Sequence, residues 1–238
     1  MSIEVLSSFS AAIAAEKMRG RVPVVPDIKC ISPKEGDLLH GRDPVKVAED
    51  LASWGAPVLS VVTEREHFGG SPKLLQTIAK RVNVPVLRKD FIRDMADLSE
   101  TVDMGASAVL LIAAIVDRKT LSMLYEHALH LGLEPLVEVH TVEEMAFVNT
   151  LNPRLIGINN RNILTLERDS GNPERTQRLA DGRPADSLLI SESGILSAED
   201  AKQAVKAGAD AVLVGTALWQ AADMVSMYRE FQEAVCDE

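Results

Sequence analysis

Eight short apolar runs alternating with stretches of helical spacing predict an α/β chain folded as a single (βα)8 TIM barrel over residues 1–238. A repeated phrase at the helix ends supports this: Trp54-Gly55-Ala56, Met104-Gly105-Ala106 and Ala207-Gly208-Ala209 each lead straight into an apolar run. Glycine there supplies the left-handed turn that sends a helix back into the sheet. Gly55 and Gly105 lie 50 residues apart, which is about two βα units of an eight-unit chain of roughly 250 residues. An open doubly wound sheet would alternate as well, but eight strands favour closure. No G-x-G-x-x-G phosphate loop follows the first run, where Lys29-Cys30-Ile31-Ser32-Pro33 stands instead.

In order along the chain, the run Val22–Ile28 precedes helical Val45–Trp54, Pro57–Val62 precedes Lys73–Val82, and Val84–Leu87 precedes Asp97–Met104. Ala108–Ile112 is followed by Thr120–Leu131, Glu134–Val137 by Val142–Leu151, and Leu155–Ile158 by Glu174–Ala180. Leu188–Ile190 with Ala198–Ala207, and then Ala211–Val214, complete the series. No linker divides them.

The composition is that of a soluble globular protein, and no apolar run is long enough to cross a bilayer. MSIEVLSSFS lacks the basic-then-apolar order of a signal peptide, so the expected location is cytoplasmic. Cys30 and Cys236 alone give neither a disulfide framework nor a metal cluster. With a net charge of −10 and scattered basic residues, neither nucleic acid nor a membrane is an expected partner. An anionic small substrate still fits, since a few lysines and backbone N–H groups focused in one cleft override a weak global field.

A parallel barrel brings the carboxyl ends of its strands to one face. Here those ends present Asp27 and Lys29, Thr63, Lys89 and Asp90, Leu110, Glu138, Asn159 and Arg161, Glu192 and Ser193, then Gly215 and Thr216. Ending a buried strand on an ionisable side chain is costly unless the ends meet in a polar site. Any single lysine or glutamate simply begins a solvated loop more often than not; five together point to proton-transfer chemistry. Ser193-Gly194 and Gly215-Thr216 follow the last two strands, where such barrels commonly hold a phosphate. Alone, each glycine reads as a turn residue.

The segments DIKCISPKEG, FGGS (Phe68–Ser71), VLRKDFI (Val86–Ile92), PLVEVHT (Pro135–Thr141), IGINNRN (Ile156–Asn162), ISESGI (Ile190–Ile195) and LVGTALW (Leu213–Trp219) occur in barrel-compatible order. Together they resemble indole-3-glycerol phosphate synthase. The resemblance implies a cofactor-free, metal-free lyase of tryptophan biosynthesis acting on a phosphorylated substrate, 1-(2-carboxyphenylamino)-1-deoxyribulose 5-phosphate. It yields indole-3-glycerol phosphate, carbon dioxide and water. By the same resemblance Lys89 is the general acid, Lys29 holds the substrate carboxylate, Glu138 is the paired carboxylate, and Asn159 and Glu192 orient them. Asp27 sits at a further catalytic position. Phe68, Leu110 and Arg161 line the pocket, Ser32 and Ser193 bind substrate, and Gly194, Gly215 and Thr216 hold its phosphate.

Three departures stand out. The family usually has glutamate where this chain has Asp27, and a basic residue where it has Cys30. The 21 residues ahead of the first run are also fewer than the usual N-terminal extension, whose extra helix helps shape the substrate-side opening. These keep two alternatives open: a paralogue with weak activity or another phosphorylated substrate, and a non-catalytic barrel that binds a phosphometabolite. Phosphoribosylanthranilate isomerase, with a Cys and Asp acid–base pair, fits less well.

Other residues read as structural. His127 and His130 lie on a solvated helix face, Glu64-Arg65-Glu66-His67 forms a charged loop, and Met95, Met104, Met123 and Met145 fill core gaps. Cys236-Asp237-Glu238 is expected to be a frayed terminus.

Overall fold

The apolar runs are buried along their length, while each helix that follows buries one stripe, so the strands form an inner wall and the helices an outer one. The computed structural model describes residues 8–161, 163 and 174–235. Asn162 of the IGINNRN segment, the expected frayed terminus 236–238 and the opening residues 1–7 lie outside them.

The wall consists of β1 Val24–Ile28, β2 Leu59–Val62, β3 Val86–Lys89, β4 Ala108–Ile112, β5 Glu134–Val139, β6 Leu155–Asn159, β7 Leu188–Glu192 and β8 Ala211–Val214. All are parallel neighbours in chain order, and β8 pairs back onto β1 to close the barrel, with Val24 opposite Val212 and Pro26 opposite Val214. The principal helices are α1 Phe9–Met18, α2 Pro44–Ser53, α3 Pro72–Ala79, α4 Met95–Asp103, α5 Arg118–His130, α6 Val142–Val148, α7 Glu174–Ala180, α8 Ala198–Lys206, α9 Thr216–Gln220 and α10 Met224–Gln232. All seven expected helical stretches are present, with ends moved by a few residues. The three repeated glycines adopt left-handed φ values of +99° (Gly55), +82° (Gly105) and +98° (Gly208).

Helix α1 was not anticipated. Ser8 caps it, Phe9 and Ile13 are fully buried, and both pack with Val25, Val58, Leu87, Ala108, Leu155 and Ala211 at the starts of the strands. Glu134 at the start of β5 accepts from the Ser10 N–H, and Lys17 pairs with Asp210 just before β8. The short N-terminal lead therefore does carry a helix, and that helix plugs the amino-terminal end of the barrel, opposite the expected substrate opening.

Inside the barrel the period of two sorts chemistry by height. Val25, Leu87, Leu136 and Leu155 fill the lower layers. Asp27, Lys89, Glu138 and Asn159, two or four residues further on, crown them. Of the four methionines expected in core gaps, Met104 and Met145 are buried, whereas Met123 is exposed because it points off the outer side of α5.

Candidate active site

Strand register fixes which crowning residues meet. Val62 lies opposite Lys89, Asn159 opposite Glu192, Glu138 opposite Gly157, and Asp27 opposite Ser60. The Lys89 ammonium consequently sits 3.1 Å from Glu192 Oε2 and 3.8 Å from Glu138 Oε2, both carboxylates being fully buried. One cation between two desolvated anions is held strongly, since little solvent screens the attraction. Ser60 donates a 2.7 Å hydrogen bond to Asp27 Oδ1, and the Trp219 indole N–H donates to the Asp27 carbonyl at 2.9 Å.

Two cavities open above this cluster and share Asp27, Lys29 and Lys89 on their walls. The first is largely apolar, with Phe68, Phe91, Leu110, Ile112 and Ile163 facing it. Phe68 and Phe91 meet edge-on, with ring centroids 6.4 Å apart, and the Lys29 ammonium lies 5.6 Å from the Phe68 centroid. The second cavity is rimmed by Arg161, Ser193, Gly194, Gly215 and Thr216. Ser193 and Gly194 both have positive φ, +64° and +72°, an uncommon conformation for serine. Gly215 precedes α9 with no side chain to cap it, so the first N–H groups of that helix remain available to a ligand.

The residues expected at the site thus fall into three tiers. Asp27, Lys29, Lys89, Phe68, Leu110, Arg161, Ser193, Gly194, Gly215 and Thr216 line the cavities. Glu138, Asn159 and Glu192 lie buried beneath them. Asn159 Oδ1 accepts from the Arg161 N–H at 2.9 Å, and Arg175 of α7 donates to the carbonyls of Asn159 and Arg161. Ser32 lines neither cavity; its hydroxyl accepts from the N–H groups of Lys34 and Glu35 in a small hairpin, Ile31–Ser32 with Gly36–Asp37. Cys30 also lines neither, and burial together with the Asp37 charge pushes its thiol pKa up, away from the range of an acid–base cysteine.

The loop Glu64-Arg65-Glu66-His67 needs correction: it is not merely solvated. Glu64 faces the apolar cavity and accepts from the N–H groups of Glu66, His67 and Phe68, which fixes Phe68 at the wall. Burial opposes its charge, but these donors and the His67 side chain outweigh it and hold the carboxyl below its usual pKa. Two further features were missed, and Asp90, named from the sequence only as a strand-end residue, has partners the sequence did not indicate. Asp90 is locked by Thr63 at 2.5 Å and Arg88 at 3.1 Å. Asn160, Thr176 and Ser191 form a buried network under the Ser193 turn. His140, one residue past β5, contacts Glu138. A strand-end position was the available signal for Asp90 and His140; the Asn160 network gave none. His127 and His130 only stack on each other, half-buried and exposed respectively.

Among the described residues no helix is long and apolar enough to cross a membrane. A sequence model of the family described as indole-3-glycerol phosphate synthase matches residues 3–231. An indole-3-glycerol phosphate synthase of Pyrococcus furiosus is 41% identical over 230 residues, covering 97% of this chain and 99% of that protein. The Pyrococcus abyssi protein of the same name is 42% identical over 212 residues, 89% of this chain and 92% of that one. The one from Lachnospira eligens is 38% identical over 239 residues, 98% and 85% respectively.

Proposed function

The chain belongs to the indole-3-glycerol phosphate synthase family, and from that premise we propose that it closes the indole ring of 1-(2-carboxyphenylamino)-1-deoxyribulose 5-phosphate with Lys89 as the acid. It is a lyase of tryptophan biosynthesis, and we place its work in the cytoplasm. The observation that carries the residue assignment is the pair of adjacent cavities, one apolar and one polar, that share Lys89, Lys29 and Asp27 on their walls. An anilino ring fits between Phe68, Phe91, Leu110 and Ile112. The phosphate fits at the other end, against Ser193-Gly194 and Gly215-Thr216.

With the substrate so placed, its carbonyl oxygen comes over Lys89. Attack by the carboxylate-bearing ring carbon puts negative charge on that oxygen, and a lysine within hydrogen-bond reach supplies the proton. Glu138 and Glu192 hold the ammonium in position, which limits the reorganisation needed as charge moves. Lys29 keeps the substrate carboxylate beside the ring until carbon dioxide leaves, and Phe68 restrains the Lys29 ammonium. Departure of the hydroxyl as water needs a second proton, and loss of the C–H proton beside the nitrogen needs a base; Asp27, fixed by Ser60, faces both cavities and fits this stage. The direct test is fluorescence detection of indole product from purified protein and this substrate. Steady turnover supports the proposal, and tight binding without product sinks it.

The shorter acid at position 27 has a structural counterpart. A Cβ on Gly215 would stand only 3.2 Å from Asp27 Cβ and 3.4 Å from Asp27 Oδ2, so the backbone of Gly215 closely flanks this side chain on one side. Asp27→Glu would push an added methylene against Gly215 or away from Ser60, and misplacement by ~1 Å at a reacting centre costs on the order of 10²-fold. A fall in kcat of about tenfold or more is expected. A large gain instead would mean that the aspartate limits the reaction.

A further inference from the structure

We propose that His140 is a proton relay that resupplies the acid–base cluster from outside the barrel mouth while substrate fills it. The inference rests on the ring-closing reaction above and follows from its proton count. The carbonyl oxygen takes up one proton to become hydroxyl and a second to leave as water, while one proton departs from the carbon beside the nitrogen. The electron pair left by carbon dioxide stays in the new ring. Each turnover of the ionised substrate therefore consumes one proton, and a substrate lying across both cavities covers Lys89 from the front.

A route exists from another side. Behind Lys89, Glu138 is fully buried, and among the described residues neither of its oxygens has a hydrogen-bond donor. A second ionisable neighbour is His140, with Nε2 3.3 Å from Glu138 Oε1. On the far side of the ring, His140 Nδ1 lies 3.6 Å from Glu144 Oε2 in the first turn of α6, and the same carboxylate oxygen accepts the His140 backbone N–H at 2.6 Å. Glu144 lines a solvent-open cavity of about 360 Å³ bounded by Ala113, Val116, Arg118, Glu143 and Phe147, which shares no lining residue with the two cavities at the mouth. Lys89, Glu138, His140 and Glu144 thus form an unbroken series of titratable groups between the catalytic amine and a second opening to water.

The electrostatics suit a relay. The groups facing His140 are Glu138 from β5, Glu144 from α6 and Arg175 from α7. Burial works against the imidazolium and so does Arg175, but the two carboxylates prevail and hold the His140 pKa above its ordinary value, which favours the protonated ring. After Lys89 has given its proton to the carbonyl oxygen, the imidazolium passes Hε2 to Glu138 and Glu138 passes a proton to the neutral amine. The neutral ring left behind keeps its proton on Nδ1, so it turns to bring the emptied Nε2 to Glu144, takes there a proton that Glu144 has picked up from solvent, and turns back toward Glu138. Both ring contacts lack hydrogen-bond alignment at rest, so each transfer includes a turn of the ring.

The test uses His140→Ala in the full-length protein, with wild type measured in parallel. Expected is a fall in kcat of about tenfold with KM unchanged, and saturable restoration by added imidazole but not by thiazole. Thiazole is a ring of the same size that stays uncharged near neutral pH. Equal restoration by both rings would show that His140 merely fills space, and wild-type kcat in the variant would remove it from the reaction; either overturns the relay. Should the alanine variant fail to fold, His140→Gln carries the same test through kcat and its pH profile, an unaltered profile counting against the relay. An inactive wild type would instead defeat the ring-closure reading, and the relay with it.

Discussion

Lys89→Ala is expected to lower kcat by about 10³-fold or more while the barrel remains folded, because the variant loses both the acid and the charge that stabilises the developing alkoxide. The structure adds a second consequence. Glu192 and Glu138 lie 3.1 and 3.8 Å from the ammonium with no exposure of their own, so the variant leaves two buried carboxylates facing an empty space. Breaking a buried pair in this way typically costs about 3–5 kcal/mol, less whatever the carboxylates recover by taking up a proton. A lowered melting temperature that partly recovers at acidic pH is therefore expected beside the loss of rate. Circular dichroism separates the two effects, and kcat near wild type in a folded variant would remove Lys89 from the mechanism.

The second large effect is expected at a residue with no functional group. Gly157 sits in the middle of β6, and a Cβ there would fall on Glu192 Oε1, 3.2 Å from Glu192 Cδ and 3.6 Å from Leu136 Cδ1. Glu192 is fully buried, so Gly157→Ala displaces its carboxylate by roughly 1 Å from the position in which it meets Lys89, and displacement of that size costs on the order of 10²-fold in rate. The clash is with the end of a side chain and not with backbone, so the barrel is expected to survive. Steady-state kinetics decide: a Gly157→Ala enzyme with unchanged kcat would mean that the position of Glu192 does not matter to the chemistry.

Gly157 also shows where sequence reading stopped. Glycine inside a strand marks a close approach by something, but what approaches is Glu192, a neighbour one strand away and 35 positions along the chain. The barrel itself was legible because its signals are local: apolar runs, helical spacing and glycines that must take positive φ. That the lysines and carboxylates proposed for catalysis lie together was legible because strand ends converge in a parallel barrel, so position along one strand implies position at the barrel mouth. Helix α1 escaped because FSAAIAAEKM has no marked amphipathic stripe; it is held by the barrel floor, through Phe9 and Ile13, and not by a pattern of its own. His140 escaped because nothing in PLVEVHT separates it from an ordinary loop histidine until α6 and α7 bring Glu144 and Arg175 to it.

The seam between β1 and β8 joins residues 24–26 to 212–214, and Trp219, beyond β8, donates to the carbonyl of Asp27. Val22 in turn donates to the carbonyl of Gln232 at the end of α10. During synthesis on the ribosome, β1 therefore stays an open edge, with its unpaired backbone exposed, until nearly the whole chain has emerged. The mouth of the barrel closes only when the first and final strands meet, so a nascent chain carries Asp27 and Lys29 long before the candidate site around them is complete.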